Sequence, residues 1–377
     1  MLPQLVFVSV VLTTLLVSSL VVPCQCLATP SVIVDIQERR IPLPGGTTGE
    51  VYASVAINTA TETEITPLPA LAFIHGSFHS SWCWTEHYVS YFAALGHPCF
   101  IFSLRGTGGT PVVSGVTKVG VDEHVADIDA FLRYVHDSDE IGYSSTNDEK
   151  NDGESSTHGE RSCRSNVVVI AHSMGGIVLQ KYLEACQRNP DMIVPRGVVL
   201  MCSVPPSGNG RMMGRIIRQS IPLSWKIILG FAFKRLLTDE RLCRELFFGG
   251  NDVDGNNDDK GITDEEIQRY QSYFRRDTDA TIDLFDLAWK LPSDNADDKG
   301  RAPFIDDPVL RRTSALVLGA TNDCIVDIEG VKETARYFNV DPVFVEAPHD
   351  VMLGEKWRNG ADAISKWLEG NRELGEI

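Results

Sequence analysis

The sequence predicts an α/β fold in which a mostly parallel sheet is flanked by helices and carries an inserted helical cap. Short apolar, β-branched runs, typical of buried parallel strands, alternate with amphipathic helical patterns. The loops between them are mostly short, which favours parallel strands covered by helices on both faces. The segment 205–303 has helical patterns with aromatic residues between two strands. We therefore assign residues 29–204 and 304–377 to the core and 205–303 to the cap.

The first half of the core is predicted to begin as an antiparallel pair of strands around a Pro/Gly turn. A buried strand ending in His75-Gly76 follows, and then a helix that is capped by serines and closed by Gly96. A later helix places four apolar residues on one face. The predicted elements are, in order, strands 31–37, 50–57 and 70–74, helix 80–95, strand 98–104 and helix 121–136.

Residues 166–182, NVVVIAHSMGGIVLQKY, combine an apolar strand, a turn with Ser173 at its apex and a helical pattern. This is the arrangement of a nucleophile elbow, in which a sharp turn lifts the serine hydroxyl out of the chain. Only small neighbours permit such a turn, and the helix adds free N–H groups at the same place. The motif alone is weak evidence, since Ala171 stands where Gly is usual. The strands and residues elsewhere in the chain must therefore show whether Ser173 is a nucleophile.

One more strand precedes the cap, and the alternation of strands and helices resumes after it. The remaining predicted elements are strands 197–201 and 314–318, helix 327–338, strand 343–346 and helix 354–368. Residues 138–165 are polar and acidic, and we expect a disordered surface insertion there. The acidic loop 249–261 lacks the Gly and Glu spacing of a calcium loop, and we expect it to be solvated.

The N-terminus is predicted to be a targeting segment. Residues 5–22 are uncharged and almost wholly apolar, and a small-residue stretch follows them. We expect a signal peptide at 1–28 and location in the secretory pathway or outside the cell. The alternatives are a membrane anchor formed by residues 5–22, because 18 residues approach a membrane span, and an organelle presequence.

Charge and cysteine content exclude several function classes. The formal net charge of −17 argues against a nucleic-acid partner, because few basic groups remain to neutralise phosphates. The nine cysteines show no CxxC pair and no metal-ligand spacing, so we expect neither a metal ion nor a cofactor. Most of them lie in apolar patterns as small hydrophobic residues, and only Cys163 stands out as an exposed candidate for a disulfide.

A reactive serine needs a base, and the base needs a partner that fixes its tautomer. In a parallel sheet, these partners should follow the carboxyl ends of strands. Asp323 follows strand 314–318, and His349 follows strand 343–346. Asp327 and Asp350 are the rivals of Asp323. We expect Asp327 to be a helix N-cap instead, and Asp350 lies beside the base.

The chain resembles the α/β-hydrolase superfamily from about residue 68 to 368, through the motifs FIHGSFHSSWCW, FSLRGTGG, AHSMGG, VLGATNDCIV and PHDVML. It is most similar there to small capped serine hydrolases such as plant methylesterases and hydroxynitrile lyases. The resemblance implies Ser173 as nucleophile, Asp323 as the acid of the triad and His349 as base. An oxyanion hole would then use the backbone N–H groups of Ser77 and Met174.

Other residues of these motifs have predicted supporting roles. Gly76 is expected to let the backbone approach the substrate, and His79 is a candidate for the pocket wall. His75 is expected to hold the oxyanion loop by hydrogen bonds, and His172 to pack into the sheet. Asp127 is expected on a helix surface.

The expected function is hydrolysis of carboxylic esters of small or lipid-like apolar substrates through an acyl-enzyme. Alternatives are a ligand sensor with little turnover, or a lipase, acyltransferase or peptidase using the same triad. Ser173 argues against epoxide hydrolysis, which needs an Asp nucleophile. Asp350 argues against a hydroxynitrile lyase, which has Lys after its base.

Residues 211–244 of the cap are basic and strongly apolar within an acidic protein. Such a helix either lies on a membrane or packs over the active site as its roof. The expected partners are therefore a small-molecule ester and, through the N-terminal segment or the cap, a membrane. An apolar roof favours hydrophobic esters over charged substrates.

Overall fold

A computed structural model describes residues 35–55, 68–138, 164–249 and 262–373. The predicted signal segment, Cys163, most of the acidic insertion and most of the loop 249–261 lie outside these ranges. Within the described residues, no helix is both long enough and apolar enough to span a membrane.

Eight strands form the main sheet, and a separate parallel pair joins residues 118–119 to residues 281–282, which lie in the segment predicted as the cap. The strands are β1 (Asp35–Pro42), β2 (Thr48–Val55), β3 (Ala70–Ile74), β4 (Cys99–Phe102), β5 (Lys118–Val119), β6 (Arg164–His172), β7 (Val194–Met201), β8 (Thr281–Ile282), β9 (Ser314–Ala320) and β10 (Val343–Val345). The order in the main sheet is β1-β2-β4-β3-β6-β7-β9-β10, and β5 pairs with β8.

The main sheet is antiparallel only at one edge. Strand β2 pairs antiparallel with both β1 and β4, and every other neighbouring pair is parallel. Parallel pairing needs crossover helices, and these cover both faces of a sheet. Every residue of β3 is accordingly buried. The predicted mostly parallel sheet with an antiparallel start is therefore confirmed.

Eleven α-helices lie within the described ranges. They are α1 (Trp82–Thr85), α2 (Tyr88–Ala94), α3 (Val121–His136), α4 (Met174–Arg188), α5 (Gly208–Gln219), α6 (Ile221–Phe231), α7 (Glu240–Phe248), α8 (Asp264–Arg276), α9 (Leu284–Ala288), α10 (Ile328–Tyr337) and α11 (Trp357–Glu373). The prediction of a single helix at 80–95 is wrong, because the helical geometry is interrupted between α1 and α2. His87 there leaves helical geometry, with φ of −139°.

The helices fall into groups that cover the sheet and its carboxyl end. Helix α3 packs on α4, and α2 packs on α11. Helices α5 to α9 lie between β7 and β9 in the chain. Among them, Leu287 packs with Met174, the first residue of α4. The N–H of Asp350 donates to the carbonyl of Phe247 in α7 at 3.1 Å. These helices therefore lie against the loops that follow β6 and β10.

Candidate active site

Ser173 is the single residue between strand β6 and helix α4. Its φ of 51° and ψ of −118° place a non-glycine residue in a strained region of backbone space. Three hydrogen bonds of 3.0 Å hold it there: its N–H donates to Met201, and its carbonyl accepts from Gly176 and Val204. The sharp turn expected of a nucleophile elbow is present in the structure.

Glycines make this turn possible by letting neighbouring segments approach. A Cβ atom on Gly76 would lie 2.9 Å from the Cβ of Ser173. One on Gly175 would lie 2.4 Å from the carbonyl oxygen of His75, and one on Gly176 would lie 2.2 Å from Oγ of Ser203. Ordinary carbon contacts need roughly 3.5–4.0 Å, so each position requires glycine. The HGS and MGG motifs thus fix the distance between the loop after β3 and the elbow.

A chain of hydrogen bonds links Ser173 to the loops after β9 and β10. Nε2 of His349 lies 3.1 Å from Oγ of Ser173, and Nδ1 of His349 lies 2.8 Å from Oδ2 of Asp323. The other carboxylate oxygen of Asp323 accepts from the N–H groups of Ile325 and Val326. The structure therefore brings together the three residues predicted as nucleophile, base and acid.

The charges around His349 suit a proton acceptor. A carboxylate only accepts hydrogen bonds, so Nδ1 carries the ring proton and Nε2 faces Ser173 with its lone pair. Burial by itself lowers the pKa of His349, but the charge and hydrogen bond of Asp323, with the charge of Asp350, raise it above its ordinary value. Burial raises the pKa of the nearby Cys202 thiol, which keeps that thiol neutral.

The two residues predicted to supply the oxyanion donors both line a small cavity. Ser77 follows β3, and Met174 opens α4, where the first N–H groups of a helix lack internal partners. Among the described residues, neither N–H has an acceptor, and both residues line the cavity. A tetrahedral oxyanion needs two such unused donors.

Comparison with protein families gives a match over residues 71–361 to the model of the alpha/beta hydrolase family. The chain belongs to this family. No curated protein matches the chain in sequence. Membership supports a hydrolase in general terms and leaves the bond that is cleaved undetermined.

Solved structures similar to this α/β-hydrolase have different activities. A thermophilic esterase from Thermogutta terrifontis, solved with malate bound, has a TM-score of 0.52 at 17% identity, over 89% of this chain and 98% of its own. A bromoperoxidase from Bacillus anthracis has a TM-score of 0.55 at 14% identity, over 88% and 100%. A laboratory-evolved potato epoxide hydrolase has a TM-score of 0.56 at 15% identity, over 89% and 99%. At such identities the likeness shows the fold alone.

His75 and His172 support the site of this α/β-hydrolase without reaching the serine. Nε2 of His75 accepts from the N–H of Leu104 at 2.9 Å, so Nδ1 carries the proton and donates to the carbonyl of Gly76 at 2.8 Å. Nε2 of His172 donates to the carbonyl of His349 at 3.0 Å. Burial lowers the pKa of His75 to about 4 and that of His172 to about 3, so both rings are neutral. His75 thus stabilises the loop that carries Ser77, as predicted. His172 is buried, but its hydrogen bond holds the loop of His349, a contact that the predicted packing into the sheet did not include.

His79 and Asp350 form a buried pair that joins the loops after β3 and β10. Nδ1 of His79 lies 2.7 Å from the carbonyl of Ser77 and must donate to it. Nε2 lies 3.1 Å from Oδ2 of Asp350, so a proton lies between these two atoms. Burial opposes ionisation of Asp350, but His79, His172 and His349 lower its pKa below the ordinary value. The pair also secures the turn at Phe78, whose φ is 67°.

The cavity beside the predicted oxyanion donors measures about 40 Å³. Gly76 lines it, as the prediction for substrate contact requires, whereas His79 is buried behind it with both ring nitrogens in hydrogen bonds. Residues 280–282 of the cap close one side. Ligand pockets commonly measure about 300–1,000 Å³, so this conformation leaves room only for a small group. A larger cavity of about 670 Å³ includes Ser314 at the amino end of β9, opposite the elbow.

Two sets of potential metal ligands involve His349. Ligand atoms of Cys202, Asp323 and His349 lie within 4.8 Å of one another, as do those of His172, His349 and Asp350. Both nitrogens of His349 already contact Asp323 and Ser173. A metal ion at either set would therefore compete with this hydrogen-bonded chain.

The sequence did not predict three features of this site. Asp127 is fully buried, so its predicted surface position is wrong, and its Oδ2 accepts from Nε of Arg105 at 2.8 Å. Asp277 in the cap is buried beside the cavity and accepts from Ser80 at 2.7 Å. The ring of Phe247 stacks on His349 with centroids 6.1 Å apart. Asp277 lies among other polar residues in the sequence, so nothing marked it as buried. The aromatic residues of the cap indicated an apolar roof, but not that Phe247 would stack on His349.

Proposed function

We propose that the protein is a serine hydrolase that cleaves carboxylic esters through an acyl-enzyme. The observation that carries this proposal is the contact of 3.1 Å between Oγ of Ser173 and Nε2 of His349, with Asp323 at 2.8 Å from the opposite nitrogen. The same fold supports other chemistries, so the proposal rests on the side chains and not on the family.

The proposed reaction has two halves. Oγ of Ser173 attacks the ester carbonyl while Nε2 of His349 takes the hydroxyl proton, and Asp323 stabilises the imidazolium. The N–H groups of Ser77 and Met174 receive the developing oxyanion, and each such donor contributes about 3–4 kcal/mol. His349 then protonates the leaving alcohol. Water deprotonated by the same nitrogen attacks the acyl-enzyme and releases the acid.

The proposed substrates are small or lipid-like apolar esters. Phe78, Met174, Val178 and Ile282 supply apolar surface to the cavity, and Phe247 covers the base. At about 40 Å³ the cavity accepts a short acyl group in the present conformation. A long chain requires the cap residues at 280–282 to move aside.

Labelling with a fluorophosphonate tests the proposed nucleophile. Wild-type protein should form a covalent adduct, and Ser173→Ala should form none. Ser77→Ala is the matched control, because Ser77 is proposed to act through its backbone N–H, which alanine keeps. Labelling of Ser173→Ala, or its loss in Ser77→Ala that remains folded by circular dichroism, would contradict these assignments.

Turnover of p-nitrophenyl esters of graded chain length separates an esterase from a ligand sensor. We expect the highest kcat/KM for short acyl chains and a fall as the chain outgrows the cavity. Covalent labelling of Ser173 without turnover of any ester would favour the sensor.

A further inference from the structure

Helix α6 is apolar on both of its faces, yet only one face is covered. Its sequence IPLSWKIILGF contains a single charged residue. Ile227 and Gly230 are buried against the protein, whereas Ile221 is 73% exposed and Trp225 is 56% exposed. A helix that is apolar all round is normally enclosed, so the outer face of α6 lacks a partner within the described chain.

Two residues close to α6 in the chain are also apolar and exposed. Ile217 at the end of α5 is 45% exposed, and Phe233 just after α6 is 63% exposed. Ile221 and Trp225 are four residues apart within α6, about one helical turn, so they lie on the same face of this helix. Single exposed apolar residues are common, but a group of four within 17 residues marks an interaction surface.

The same stretch carries positive charge in an acidic protein. Residues 211–235 include six Lys and Arg and no Asp or Glu, whereas the whole chain has a net charge of −17. Arg218 and Lys234 are exposed and form no ion pair with any described residue. We call Ile217, Arg218, Ile221, Trp225, Phe233 and Lys234 the cap face.

We propose that the cap face docks on an anionic lipid surface. Lysine and arginine are attracted to anionic headgroups, and tryptophan with aliphatic side chains enters the boundary between headgroups and acyl chains. A second copy of the chain is a less suitable partner for the cap face, because a two-fold interface would bring two positively charged faces together. The acidic remainder of the protein would turn away from the membrane, which fixes the orientation.

Docking in this orientation places the candidate active site close to the lipid. The ring of Phe231, the last residue of α6, lies 5.4 Å from the ring of Phe78. Phe78 directly follows the predicted oxyanion donor Ser77. The helix that contacts the lipid is thus also part of the roof, although docking itself does not depend on the proposed ester hydrolysis.

Vesicle co-sedimentation of the full-length protein tests the proposal. We expect binding to vesicles of phosphatidylcholine mixed with phosphatidylglycerol, little binding to phosphatidylcholine alone, and weakening by salt. Trp225→Ser and Arg218→Gln should each weaken binding about fivefold. The controls Trp289→Ser and Lys118→Gln remove an exposed charge and an aromatic ring that, at 79%, is more exposed than Trp225, both outside the cap face, and should bind like the wild type.

Several outcomes would overturn the proposal. Absence of binding, equal binding to neutral vesicles, or cap-face variants that bind like the wild type would each refute it. In the last case the N-terminal segment, which is identical in all variants, would carry the binding. A dimer in light scattering that Trp225→Ser dissociates would show instead that a second copy covers the face.

Discussion

Replacement of Gly76 with alanine should disable the site without dismantling the fold. The added Cβ would lie 2.9 Å from the Cβ of Ser173 and 3.0 Å from Nδ1 of His172. Carbon atoms need roughly 3.5–4.0 Å, so the loop that carries Ser77 has to retreat by about 0.6–1 Å. A displacement of about 1 Å costs roughly 10²-fold in rate, similar to the loss of one oxyanion donor. We therefore expect kcat/KM to fall roughly 10²-fold, mainly through kcat.

The assay is hydrolysis of p-nitrophenyl butyrate, with circular dichroism and thermal unfolding to confirm that the variant is folded. Gly210→Ala and Gly214→Ala are matched controls, because a Cβ on either glycine of α5 meets no atom within 4 Å. Both should keep wild-type activity. A folded Gly76→Ala variant with kcat/KM within about threefold of the wild type would refute the argument that this glycine sets the distance between oxyanion loop and nucleophile.

Three further predictions concern the titrating groups. Asp323→Asn should lower kcat about 10⁴-fold, because an amide that donates to Nδ1 favours the wrong tautomer of His349; a loss below about tenfold would contradict its role. Asp350→Asn removes a charge that raises the pKa of His349, so the acid limb of kcat/KM should move to lower pH, and an upward shift would contradict this. Burial lowers the pKa of His75 to about 4 and that of His124 to about 3. Below about pH 6.5 these rings take up protons in the unfolded protein but not in the folded one. Each ring should therefore lower the free energy of unfolding by about 1.4 kcal/mol per pH unit until the pH reaches its folded pKa. His124→Gln should make this pH dependence less steep in denaturant titrations.

The elements with the strongest patterns were predictable from sequence. The apolar face of α3 gave its bounds at 121 and 136, and the uninterrupted apolar run of β3 gave 70–74. In both, the side chains that set the pattern are the ones that the sheet and its helices bury. Local pattern and tertiary packing agree in these two elements, so the neighbouring residues in the sequence are enough to predict each element and its bounds.

The errors arise where a distant residue decides the outcome. Helix 80–95 breaks near His87, whose ring stacks on Trp357 of the last helix with centroids 4.8 Å apart. Asp127 appeared to be a surface residue of an amphipathic helix, but Arg105 from the loop after β4 reaches it. No local pattern reveals either contact.

The candidate site was predictable in outline for a topological reason. Parallel strands bring their carboxyl ends to one edge, so the positions of Ser173, Asp323 and His349 after strands sufficed to predict that they meet. The pairing of His79 with Asp350 was not predictable, because it depends on the distance between the loops after β3 and β10, which the strand order does not determine. The size of the cavity likewise depends on cap side chains.

Detection of the acyl-enzyme tests the central claim most directly. Wild-type protein mixed with p-nitrophenyl acetate and quenched in acid should release a burst of about one equivalent of p-nitrophenol, with one acetyl group on the peptide that contains Ser173. Ser173→Ala should show neither the burst nor the modified peptide. Turnover with the acyl group on another residue, or a burst that survives in Ser173→Ala, would contradict catalysis by a nucleophilic serine at this position.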